Sequence, residues 1–177
     1  MGRHQHRIEL RALVRRLGPV LTVATLRQAG VSRFTVMEME RRGELVRVAK
    51  TALVERSLLE ASSAWEQFRL RSLGFALSVG PQVYLTGWSG AVLHGVPSIG
   101  EPPRLPTALR PGDPHRGTDQ SRYGEVRTGV LPEQHRARVA GVRAVSLAFA
   151  AVEVARRGDS MDALVAVDYA LHRRVPA

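Results

Sequence analysis

Cysteine is absent from this chain of 177 residues, which excludes disulfides and thiolate metal sites. Aromatic residues make up only 5% of it, and lysine is nearly missing: Lys50 stands alone among 26 basic residues. No run approaches the roughly 20 apolar residues that a membrane-spanning helix requires. The opening MGRHQHRIEL places no apolar core behind its charges, so export is not indicated and a cytoplasmic location is expected. The six histidines (His4, His6, His94, His115, His135 and His172) show no ligand spacing beside a carboxylate, so no metal is assigned. No nucleophile elbow, phosphate loop, dinucleotide fingerprint or zincin motif occurs. The expectation is therefore no enzyme, no catalytic residue and no cofactor. Glu153, Asp162 and Asp168 fall on the last two helices and are read as helix-end charges rather than a nuclease cluster.

What is present is positive charge, unevenly placed. Of a formal net +10, residues 1–56 carry 12 Arg/Lys against 5 Asp/Glu, and residues 57–177 carry 14 against 11. Such a footprint favours polyanions through phosphate neutralisation and counterion release. The apolar fraction of 44% is that of a folded protein.

The basic segment is also the most patterned. Ile8, Leu10, Leu13, Val14 and Leu17 form a helical stripe ended by Gly18-Pro19. Thr22 can cap a short helix over Val23–Ala29. Gly30 supplies a turn, and Ser32 sits where an N-cap belongs for a helix running to Arg41-Arg42-Gly43. Leu45–Val48 and Leu53-Val54 read as two strands turning near Ala49-Lys50. Helix, turn, helix and hairpin in this order predict a winged helix-turn-helix whose second helix enters a DNA major groove. Ser32, Arg33, Phe34, Met37, Glu38 and Arg41 point away from the core; Arg33 suits a guanine, and Phe34 or Met37 a thymine methyl. Arg47, Lys50 and Thr51 on the wing are candidates for phosphates or the minor groove. Thr22 and Thr25 are backbone-phosphate candidates, and Arg3 and Arg7 a terminal arm.

Beyond residue 56 the pattern mixes helices and short strands. Residues 57–79 are helical, with one helix or two left open because of Gly74. A loop-rich stretch over 97–124 contains six prolines and four glycines. Strands are expected at Gln82–Leu85, Leu105–Arg110, Glu125–Leu131 and Arg138–Arg143, then helices from Ser146 to Arg157 and from Asp162 to Arg174. The expected fold class is α+β, mainly helical: an N-terminal winged helix-turn-helix over 1–56 followed by a small mixed α/β domain over 57–177. Arg69, Arg71, Arg104 and Arg110 are candidates for DNA contact from this second part.

Three stretches, GVSRFTVMEMERRGELVRV, YLTGWSGAVLHGV and GVRAVSLAFAAVEVARRGDSMDALVAVDYALHRR, together resemble AbiEi-type antitoxins, transcriptional regulators of bacterial type IV toxin–antitoxin operons. The resemblance implies a sequence-specific repressor of its own operon, with operator double-stranded DNA and a cognate toxin as partners. It also implies an appended non-catalytic domain, without the Vsr-like nuclease of larger relatives. A phage immunity repressor and a protein-interaction module that neutralises a toxin without DNA are the alternatives. Monomer and homodimer both stay open.

Overall fold

Why the chain folds in layers is clearest at the helix Ala64–Ser78, which has no single apolar face. Phe68, Leu70, Leu73 and Phe75 are all buried, along with Ser72 and Gly74. A helix buried on several sides must be covered on several sides, and the computed structural model, which describes residues 12–97 and 100–173, shows by what. Helix α1 covers residues 12–17. The chain continues with β1 (Leu21–Thr22), α2 (Val23–Gln28), α3 (Arg33–Arg41), β2 (Leu45–Ala49), β3 (Ala52–Glu55) and α4 (Arg56–Ala61), before the central helix, α5. Next come β4 (Tyr84–Leu85), α6 (Gly87–Ala91), β5 (Thr107–Pro111), β6 (Thr118–Ser121), β7 (Gly124–Gly129), β8 (Arg136–Val139) and β9 (Val142–Val145). Helices α7 (Leu147–Arg157) and α8 (Ser160–His172) close the described chain.

The strands form two sheets. A three-stranded antiparallel sheet has the order β1-β3-β2, and a six-stranded mixed sheet the order β6-β7-β5-β4-β9-β8. In the larger sheet β5/β7 and β4/β9 are parallel and the other pairs antiparallel. Helix α5 lies between the two sheets. Val48, Ala49, Ala52 and Val54 of the hairpin share one core with Leu70, Leu73 and Phe75 of α5 and with Leu85, Ala108, Val126 and Ala144 of the large sheet. Period-two alternation sends Leu109 and Val145 to the opposite face, where they pack with Trp88, Ala91, Leu147, Ala150 and Val154. A smaller core of Leu21, Leu26, Val36, Met39, Leu45 and Leu53 holds α2 and α3 on the small sheet. Helix α8 seals the far side and leaves Met161, Leu164, Val167 and Leu171 exposed.

This corrects the expected fold class. The chain is not mainly helical with an N-terminal winged helix-turn-helix and a small mixed domain; it is an α+β fold organised around a six-stranded mixed sheet. Nor does the β2–β3 hairpin stand free as a wing. Its tip is fastened to the end of α5, where the Thr51 amide donates to Ser78 Oγ at 3.1 Å and the two hydroxyls lie 2.9 Å apart. Gly74 makes that docking possible. A Cβ there would sit 2.7 Å from Val48 Cγ2 and 3.2 Å from Ala52 Cβ, closer than packed carbons allow. The strand expected at Gln82–Leu85 is present as the two residues of β4; β6 is not legible in the sequence because all four of its residues are exposed and polar and carry no apolar period.

The helical stretch after residue 56 breaks at Ser62-Ser63, where the Ser63 hydroxyl accepts from the Glu66 amide, and not at Gly74. The single strand expected over Arg138–Arg143 is a hairpin, β8–β9, turning at Ala140-Gly141 with both residues at positive φ.

Candidate nucleic-acid interface

The α3 face is built from a cap, a core stripe and a carboxylate. Gly30, at φ 84°, turns the chain after α2. The Ser32 hydroxyl then accepts from the Thr35 amide at 3.0 Å and so starts α3. Val36 and Met39 are buried against the small sheet. That placement turns Arg33, Phe34, Met37 and Arg41 outward together, because residues three and four apart share a helix face. Phe34 is 78% exposed and Met37 57%.

Charge on this face is divided into spent and unspent. Glu38 accepts from Arg41 Nε (2.8 Å) and NH2 (2.7 Å) and from Arg42 Nε (2.7 Å). Hydrogen bonds from Arg41 first, and then Arg42, hold the Glu38 carboxyl down at about 2, and the same pairing raises Arg41. Arg47 of β2 reaches back to α3 in a bidentate pair with Glu40 (2.8 and 2.6 Å), and its third nitrogen donates to the Lys50 carbonyl at 2.9 Å. Its pKa is raised, chiefly by Glu40. Arg33 has no carboxylate partner among the described residues, and neither has Arg27 at the end of α2. The two line one cleft between α2 and α3 with Val23, Val31 and Val36.

The expected contact residues therefore sit in three settings. Ser32, Arg33, Phe34, Met37 and Arg41 share α3, with Ser32 engaged as its cap and Arg41 held by Glu38. Lys50 is exposed at the hairpin turn, while Thr51 faces α5 and Arg47 is bound to α3. Thr22 and Thr25 form a reciprocal capping box: the Thr25 amide donates to Thr22 Oγ1 and the Thr22 amide to Thr25 Oγ1, each at 3.0 Å. Arg3 and Arg7 lie outside the described residues. Sequence reasoning passed over Arg27. The signal that finds it is negative: no acid stands three or four residues away on either side, whereas Arg41 and Arg42 have Glu38 at those spacings.

The three acids of the last helices each have a structural engagement. Glu153 accepts from Arg156 and Arg157, Asp162 from the Trp88 indole at 3.2 Å, and Asp168 lies 3.3 Å from His172. Among the described residues no three His, Asp or Glu side chains gather as a metal site. No helix among them is long and apolar enough to cross a membrane. A comparison with models of protein families finds no match to this chain, and a search of curated proteins finds no similar one.

Proposed function

We propose that this chain is a sequence-specific double-stranded DNA-binding repressor in which the outward face of α3 reads base edges and no catalysis occurs. The observation that carries this reading is the pairing of two exposed apolar side chains, Phe34 and Met37, with the unneutralised Arg33 on one helix face. Apolar surface of this kind serves contact, and thymine methyls and guanine edges are a matching surface. Arg27 and Lys50 flank α3 and supply phosphate contacts. In keeping with the AbiEi resemblance, the chain controls its own operon in the cytoplasm, on the nucleoid, with a cognate toxin as its second partner.

Selection of bound sequences from random duplex DNA tests the reading. One preferred motif is expected, palindromic for a dimer, with half-sites about one helical turn apart. Arg33→Ala then weakens cognate binding about ten- to hundredfold with little change on random duplex. Lys50→Ala weakens both alike and lowers the salt slope by about one. Equal loss on cognate and random DNA for Arg33→Ala overturns the role given to Arg33, and failure to enrich any motif overturns the reading itself.

A further inference from the structure

Away from the outward face of α3, four arginines from four segments converge on one cleft of about 490 Å³. Arg47 comes from β2, Arg71 from α5, Arg104 from the loop before β5, and Arg122 from the turn between β6 and β7. No carboxylate lines it. Arg47 is neutralised by Glu40, but the other three have no acidic partner among the described residues. Arg71 donates to the Gln67 amide oxygen at 3.2 Å, Arg122 donates to the Tyr123 hydroxyl, and Arg104 has no hydrogen-bonding partner among the described residues. Arg27, Arg33, Arg116, Arg138 and Arg143 also lack a carboxylate among the described residues, so what sets this cleft apart is that three such arginines line it together. Arginines 41, 42, 56, 69, 110, 127, 136, 156 and 157 each have a carboxylate within 4.0 Å.

Bringing unneutralised guanidinium groups together from separate segments costs like-charge repulsion, which a bound anion relieves. The volume falls in the range of small-molecule sites. Guanidinium forks match phosphate oxygens bidentately. The same cleft also has apolar lining from Val46, Val48 and Leu59, and the Tyr123 ring, which lies under the Arg122 guanidinium with 4.6 Å to its centroid. We infer that this cleft binds a nucleoside phosphate, with Arg71, Arg104 and Arg122 on the phosphates and Tyr123 and the apolar lining against the base. This site stands independently of the reading given to α3. The nucleotide unit is either free in solution or part of a nucleic-acid strand.

Titration calorimetry on the whole chain at about 50 mM salt, where screening is modest, uses ATP as the probe, with adenosine and inorganic phosphate as its two halves. ATP is expected to bind one per chain and at least tenfold tighter than either half. Arg104→Ala and Arg71→Ala each weaken ATP about tenfold, while Arg116→Ala, an exposed arginine outside the cleft, leaves it unchanged. Arg104 is exposed, so its loss does not threaten folding, and thermal melts confirm that each variant is intact. A single-stranded decanucleotide that displaces ATP and binds tighter identifies a strand as the source. One that fails to displace ATP identifies a free nucleotide. Absence of ATP binding, or binding that Arg71→Ala, Arg104→Ala and Arg116→Ala weaken equally, overturns the inference.

Discussion

Helices α3 and α7 close on the same device and use it differently. In each, one glutamate grips two arginines three and four residues ahead: Glu38 with Arg41 and Arg42, Glu153 with Arg156 and Arg157. The Glu38 side chain is 26% exposed at the surface, whereas that of Glu153 is 9% exposed, lining a cleft with Trp88 and Asp162. On α7 the fork anchors a helix end over a buried acid. On α3 it engages two exposed arginines and offsets the charge of one of them. Equal spacing thus yields an internal support in one place and, in the other, a surface ion-pair group that keeps one net positive charge.

The sharpest way to break this comparison is to remove the buried acid. Glu153→Ala leaves two arginines without their acceptor and a gap beneath the helix. A stability loss of about 2 kcal/mol in urea unfolding is expected. A loss indistinguishable from that of Glu38→Ala would remove the distinction between the two forks. A smaller effect, of another kind, follows from Glu38→Gln. The melting temperature should barely move, while binding to random duplex DNA strengthens about threefold as Arg41 and Arg42 become available, and the salt slope steepens by one to two. An unchanged salt slope would mean that these arginines do not reach phosphate.

The smallest effect is seen only by titration. The Glu38 carboxyl is depressed to about 2 from an ordinary 4.5, so its contribution is present above about pH 4.5 and lost as pH falls toward 2. Carboxyl NMR should show its midpoint near 2 in the parent chain and close to the ordinary value in a variant lacking both Arg41 and Arg42. A parent midpoint near 4.5 would mean that the fork does not persist in solution.

Parts of this arrangement are legible in the sequence because their causes are local. The start of α3 at Ser32, the turn at Gly30 and the course of α7 after Ser146 all follow from side chains within three or four residues. The glutamate forks belong to this class too, since their spacing is helical. The large sheet does not. Its strands are short, and Ala140 at φ 50° makes a hairpin turn without the usual turn residues before Gly141. The arginine cleft is further still from local pattern, since its lining comes from segments up to 77 positions apart, between Val46 and Tyr123. Reading the hairpin as a free wing failed because nothing within it announces that its partner is α5. That fact resides at Gly74, where a missing side chain reads as a helix breaker rather than as a contact.

The same contact has a consequence for the proposed docking on a duplex. With no Cβ at Gly74, the Val48, Ala49 and Ala52 side chains of the hairpin press directly on the α5 backbone, and side chains of both elements interlock with the large sheet in one core. Bistable motion needs two packings of comparable energy, and side chains pressed this closely on a helix backbone disfavour a second one. Helix α3, carried on the hairpin, is therefore a fixed fitting and not an arm. Under the proposed reading, adjustment on docking falls to the DNA, so flexible base steps beneath the protein are expected to be selected even where no side chain touches them.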